Sequence, residues 1–316
     1  MLRLFNDNKP YVLFILPLIL GAYYAQHLLL EKTTTSREIS MGLWGSFQLN
    51  PQTMVGWLIL GFLLQLFAAI AINYVFNEAN FHERNNYIPS LLSLTLSAAF
   101  MHFYSFNGIF LAMMGVLLAF NQLLQLDQNI AGGKSLFNAS FFYCLAASIF
   151  PPLLLGLPLI YFLSLIFRPF FLRELGSFML AILLVGFYLF SFRTYVELPG
   201  FWEDFSSFFT PTNLSIHHGS FLVFYLILML LSIVALSYLW NSFTNRSKKE
   251  IQLLIGYLFA LNISFLFNLS TAAGIAMPIL VHIGTFSFLH QKFRRISYVL
   301  TYAAIVFIFT KFLLIY

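Results

Sequence analysis

Charge is scarce in this sequence. Lys, Arg, Asp and Glu together make up 9% of its 316 residues, against about 25% in a soluble domain. An ordinary water-soluble fold is thereby excluded. Cysteine occurs once, at Cys144 inside an apolar run, so neither an internal disulfide nor a CxxC metal site can form. Core packing is the role left for that thiol. No hydrophilic interval approaches the roughly 50 residues that a separate domain needs, and residues 1–316 are expected to form one integral membrane domain. GxxxxGKS, GxSxG and HExxH do not occur. The HxE within FHERN has no PCxxC partner, which excludes a zinc deaminase. No basic stripe interleaved with stacking aromatics lies in a hydrophilic segment, so nucleic acid is not an expected partner. Nothing in the sequence specifies a cofactor.

What fills the chain is apolar: 60% of it is hydrophobic, including 40 Phe. In lipid the backbone must satisfy its own hydrogen bonds, which leaves helical bundles and closed barrels. The apolar runs are continuous and do not alternate, and that selects helices. The expected fold class is all-α, a polytopic transmembrane helix bundle. A crossing takes about 20 apolar residues. Runs of that kind begin with Tyr11–Leu30, Met54–Phe76, Ile88–Phe106 and Ile109–Leu126. The first is too long for a signal-peptide core and has no small-x-small cleavage site after it, so it reads as a retained span. Between the first two runs, Met41, Trp44 and Phe47 recur every three residues, which suits a short interfacial helix; Gly42 and Gly45 argue equally for a structured loop. Leu136–Phe167 is too long for one helix and carries Pro151-Pro152 at its middle. Proline removes a helix donor and disfavours helix in the residue before it. Two spans meeting at the prolines are expected, with one kinked helix as the alternative. Leu175–Phe192, Ser220–Trp240, Ile251–Leu269, a run ending at Leu289 and Ser297–Tyr316 complete about eleven.

Sidedness tests this partition. With the N-terminus in the cytoplasm and the C-terminus outside it, twelve of the sixteen Lys and Arg fall on cytoplasmic connections, as the positive-inside tendency requires. Joining the two spans at the prolines would spoil that distribution. The expected location is the bacterial inner membrane.

Three polar groupings are candidates for chemistry. The longest interruption runs from Arg193 to Gly219 and gathers Arg193, Glu197, Trp202, Glu203, Asp204, His217 and His218 on the outer side. The carboxylates could serve as acid, base or metal ligand, Arg193 could clamp a phosphate, and Trp202 could stack on a sugar ring. Adjacent His217 and His218 cannot face the same way on a helix or strand, so no complete metal set is visible. Solvated charges with aromatic anchors are the plainer account of the same loop. The second grouping, Glu31, Lys32, Arg37 and Glu38, is expected at the outer mouth of the first span, where an acid is well placed to meet a lipid-borne substrate; isolated surface charges are the plainer account. The third is cytoplasmic, around Asn77, Glu78, His82, Glu83 and Arg84, with Arg168, Arg173 and Glu174. Within the spans the polar residues are chiefly His, Asn and Gln, among them Asn73, His102, Asn121 and His282. No carboxylate or Lys sits mid-span, apart from Lys311 near the end of the last one, which weakens the case for an ion-driven transporter.

The succession FNDNKP, NEANFHERNNYIPSLL, KSLFNASFF and RPFFLRE, each before a span, resembles a family of polytopic inner-membrane proteins of unknown function from Bacteroidota. That resemblance implies a cytoplasmic-membrane location and no catalytic residues. The layout is also similar to the C-type superfamily of membrane glycosyltransferases, which use polyprenyl-phosphate sugar donors and an acid in the first outer loop. It implies Glu31 or Glu38 as general base and Arg193 on the donor phosphate. The first outer loop is shorter here and lacks the usual Asp-Glu pair. The expected function is the handling of a lipid-linked, polyprenyl-phosphate glycan substrate at the outer face. A scaffold subunit bound to a membrane-complex partner, or a transporter or lipid flippase, are the alternatives.

Overall fold

The computed structural model describes residues 5, 10–30, 38–48, 54–79, 81, 86–99, 107–126, 132–167, 172–198, 200–209, 216–267 and 269–315. A 3-10 segment, Pro10–Ile15, leads into α1 (Leu16–Leu30). Two short antiparallel strands follow, β1 (Glu38–Ser40) and β2 (Ser46–Gln48), with Ile39 opposite Phe47. Then come α2 (Met54–Glu78), α3 (Ile88–Ala99), α4 (Gly108–Leu124) and α5 (Gly132–Ile149). After a 3-10 segment at Pro151–Gly156 the chain continues as α6 (Leu157–Ser164), α7 (Leu172–Tyr195) and the short α8 (Phe201–Ser207). It finishes with α9 (Ile216–Leu239), α10 (Asn245–Asn262), α11 (Leu269–Leu289) and α12 (Gln291–Ile315).

Among the described residues, four stretches are long and apolar enough to cross a membrane: Gly56–Glu78, Leu172–Tyr195, Asn245–Leu266 and Thr271–Leu289. Shorter apolar helices, including Ile88–Ala98 and Gly108–Leu124, pack among them. Helix α11 is the axis of the bundle and is buried along nearly its whole length. Helix α7 is the reverse and turns Leu180, Leu183, Phe187 and Phe190 outward. Exposed large apolar side chains also line α2, α9 and α12. Exposed apolar area on that scale is unusual on a water-soluble surface and suits a helix bundle in hydrocarbon.

The prolines interrupt the helix, as their missing donors and their effect on the preceding residue demand. Phe150 leaves the helical region and Pro151–Gly156 winds as a 3-10 segment. The limb turns back along the bundle. Tyr143 of α5 donates through its hydroxyl to the Leu153 carbonyl at 3.0 Å, and Tyr161, near the limb's other end, packs on Phe178 in the second turn of α7. Helices α5 and α7 consequently run parallel: Gly133 lies against Ser177 at their starts, and Trp44 bridges Ser148 and Phe192 at their ends. One kinked rod is not what forms.

These contacts sort the connections into two ends. One holds the β1–β2 hairpin, the start of α4, the end of α5, and residues 192–209. The other holds the α2–α3 turn, where the Asn77 amide donates to the Asn86 carbonyl and accepts from its N–H, together with the starts of α5, α7, α10 and α12.

Several boundaries differ from those the apolar runs predict. Helix α7 extends to Tyr195, so Arg193 sits in its last turn. Helix α9 begins at Ile216, which puts His217 and His218 in a first turn. Helices α10 and α12 begin ahead of their apolar runs and take Arg246, Lys248, Lys249, Lys292, Arg294 and Arg295 into their first two turns. In each case helical hydrogen bonding continues into polar sequence at the bundle's ends, where hydropathy has no signal.

Candidate functional site

The Arg193 grouping and the β1–β2 hairpin, 150 residues earlier in the chain, meet at one end of the bundle. Their junction is Arg193. Its Nη1 donates to the Leu43 carbonyl between β1 and β2 at 2.8 Å. Its Nη2 donates to Asp204 Oδ2 of α8, also at 2.8 Å. The guanidinium lies 5.4 Å from the centre of the Phe201 ring, and only 4% of the side chain is exposed. A buried cation survives only with partners, and here the partners are the two loops themselves. Arg193 was a candidate phosphate clamp; in the structure two of its donors join the hairpin segment to α8.

The hairpin segment is a structured loop, with one 3-10 turn at Gly42–Trp44. Gly42 has φ +66°, and a Cβ there would overlap the Ile149 carbonyl. Gly108 faces the Ser40 carbonyl at a distance of 2.6 Å from where its Cβ would stand. Both glycines permit backbone-to-backbone contact at the mouth of the α4–α5 pair. Asn107 starts α4 there, its side chain accepting from the Phe110 N–H at 3.0 Å, a cap worth about 1 kcal/mol. Trp44 turns inward: its indole N–H donates to Ser148 Oγ at 2.6 Å, and its ring packs on Phe192 with centres 5.2 Å apart.

Below Trp44 a groove of about 470 Å³ opens to the side of the bundle between α5 and α7. Phe141, Leu145, Val185, Tyr188, Phe192 and Tyr195 line it. None of these was singled out from the sequence: five read there as apolar residues of a span, and Tyr195 as part of the interruption that follows one. The closer packing of aromatics along the last three turns of α7 was the available signal.

Around the mouth stand the remaining candidates. Glu197 and Glu203 are exposed, Asp204 is half-exposed beside Arg193, and Trp202 is 75% exposed. Glu197 has φ +55°, a left-handed conformation uncommon outside glycine. An aromatic series, Phe201, Phe205, Phe209 and Phe267, runs from the cap down to the start of α11, with centres 6.1, 5.1 and 4.9 Å apart. Glu38 opens β1 and is therefore at this end. Glu31, Lys32 and Arg37 lie outside the described residues. So do His82, Glu83, Arg84 and Arg168 of the third grouping; Asn77 closes the α2–α3 turn, and Arg173 and Glu174 begin α7 at the far end. No three His, Cys, Asp or Glu converge on a metal position among the described residues.

The interior polar residues behave differently. His282 is fully buried within rings of Phe76, Phe81 and Phe120, whose centres lie 5.5, 6.4 and 5.7 Å away. Its Nδ1 bonds the Pro278 carbonyl. This is an enclosed, ring-packed histidine. His102 lies outside the described residues. Asn121 is half-buried, and its neighbour Gln122 accepts from the Asn138 amide at 3.2 Å, tying α4 to α5.

Compared with known proteins, the chain matches no family model, no curated protein and no solved structure.

Proposed function

We propose that this is a multi-pass protein of the bacterial inner membrane, crossing it about eleven times, that holds the hydrocarbon of a lipid-linked substrate in the groove beneath its joined outer loops. The observation that carries the reading is the groove's position. It opens sideways within the apolar surface, and its roof is the residue, Trp44, that links the first outer loop to α5 and α7.

Charge supports the orientation. Eight of the ten described Lys and Arg stand at the end away from the hairpin: Lys134, Arg173, Arg246, Lys248, Lys249, Lys292, Arg294 and Arg295. The hairpin end has the ion-paired Arg193 and the last turns of α12, which bear Lys311. The basic end then faces the cytoplasm. At the outer end, exposed carboxylates and Trp202 suit sugar hydroxyls and a sugar face better than they suit a phosphate. A lipid-linked glycan is the substrate class that fits both rim and groove. For the phosphate of a polyprenyl-phosphate carrier the sequence candidate is Arg193, two of whose donors are already bonded to Leu43 and Asp204. Glycosyl transfer, if the protein catalyses it, rests on Glu31 or Glu38 as base. A scaffold role is the second reading, carried by the exposed apolar face of α7.

The test is photolabelling of the purified protein with a diazirine-bearing polyprenyl lipid. Label is expected in peptides containing Phe141, Leu145 and Val185–Tyr195, and is expected to fall several-fold in Val185→Trp, which fills the groove. Even labelling of the outward faces of α7 and α9, unchanged by that substitution, would defeat the proposal. Co-purification of one protein at fixed stoichiometry, with cap-charge variants fully functional, would favour the scaffold.

A further inference from the structure

The far end of the bundle carries basic side chains that meet no acid among the described residues. Helices α10 and α12 both begin there, and neither has an acid in its first turn. Helix N-termini are already electropositive and ordinarily attract Asp or Glu. Here α10 opens with Arg246, Lys248 and Lys249, and α12 with Lys292, Arg294 and Arg295. Two of the six are used internally. Arg246 pairs with the buried Glu250 at 3.0 Å, and Arg294 donates to the Phe288 and Leu289 carbonyls that end α11. The other four, Lys248, Lys249, Lys292 and Arg295, show no acidic partner among the described residues.

They are gathered at one corner. Lys248 lies over the Trp240 ring at 5.8 Å and Lys292 over the Tyr238 ring at 5.5 Å. Tyr238 also packs on His290 and Phe293, and Phe243 packs on Phe286. Both basic turns therefore flank the end of α9. With lysines against them, the two aromatic faces are not open to stacking bases, and the corner does not have the form of a nucleic-acid platform. Immediately along the bundle, Ile233 and Val234 of α9 and Ile296 and Val299 of α12 are exposed. Cations at ring height above paired apolar strips match a headgroup above acyl chains.

We propose that this corner binds an anionic phospholipid, its phosphate held by Lys248, Lys249, Lys292 and Arg295 and its chains lying on the outward faces of α9 and α12. The inference rests on the bundle lying in a bilayer and is independent of the groove and its substrate.

The experiment uses the full chain in nanodiscs of phosphatidylcholine with and without phosphatidylglycerol, reading retained lipid by native mass spectrometry and stability by thermal unfolding. Wild type is expected to retain phosphatidylglycerol selectively and to melt higher in its presence. The variant with Lys248, Lys249, Lys292 and Arg295 all changed to Ala should hold it at least about tenfold less well. Removing Lys134 and Arg173, which share this end but not this corner, should change nothing. Equal retention in the four-site variant and wild type would overturn the proposal. So would displacement of the lipid by millimolar inorganic phosphate or by a short RNA, which would identify a free-anion or nucleic-acid site. If the four-site variant does not fold, the wild type decides alone, because selectivity that survives molar salt is incompatible with a charge-held headgroup.

Discussion

At the hairpin end one described cation is buried, and both its terminal nitrogens are spent on the protein's own loops. At the opposite end four cations stand on the surface with no acid facing them among the described residues. The same residue class thus does opposite work. Arg193 holds two distant segments together, and its removal is a matter of folding. Lys248 and Lys292 rest on the rings of Trp240 and Tyr238, but none of Lys248, Lys249, Lys292 and Arg295 meets an acid among the described residues, and their removal is a matter of what the protein meets. Charge counted from a sequence does not separate these roles; the location of the counter-charge does.

The sharpest way to break the comparison is to ask which end faces which side. In a Cys144→Ser background, a cysteine at Glu197 should react fully with an impermeant maleimide in intact cells, and one at Lys249 only after permeabilisation. The reverse result would invert the orientation and detach the groove from the outer face. Next in size is Gly42→Ala. A Cβ there meets the Ile149 backbone, which cannot rotate away, at a left-handed φ; a loss of about 3 kcal/mol or more is expected in thermal or denaturant unfolding. Asp204→Asn strips the carboxylate from a buried guanidinium. Breaking a fully buried pair costs about 3–5 kcal/mol. Half of Asp204 is exposed, so about 2 kcal/mol is expected, while a matching Lys249→Ala at the other end should leave the melting temperature in phosphatidylcholine unchanged. The smallest effect is Glu197→Asn, which suits the left-handed backbone better and should stabilise by about 0.5 kcal/mol.

The helical class was legible because continuous apolar runs leave few alternatives in lipid, and the break at Pro151-Pro152 because proline's covalent geometry acts locally. What could not be read was whatever depends on two segments meeting. The spacing of Met41, Trp44 and Phe47 fitted an interfacial helix as well as a loop, and only the backbone contacts of Gly42 and Gly108 decide for the hairpin. Arg193 looked like a phosphate clamp because one of its two acceptors is a backbone carbonyl 150 residues away, which carries no sequence signature, and nothing in the sequence says that Asp204 turns back onto it. The groove escaped notice since a void is a property of packing between α5 and α7, invisible in either helix alone. Helix starts in Lys-rich sequence were missed for a related reason: hydropathy reports where lipid is, and hydrogen bonding continues past it.

The returning limb after Phe150 has one further consequence. Six residues of 3-10 helix, eight of α-helix and a further 3-10 turn through Phe167 reach about 30 Å, about the thickness of bilayer hydrocarbon. Leu155 and Phe162 point outward along that limb. The steeper rise of 3-10 winding lets fewer residues than a straight α-helix needs cover that distance.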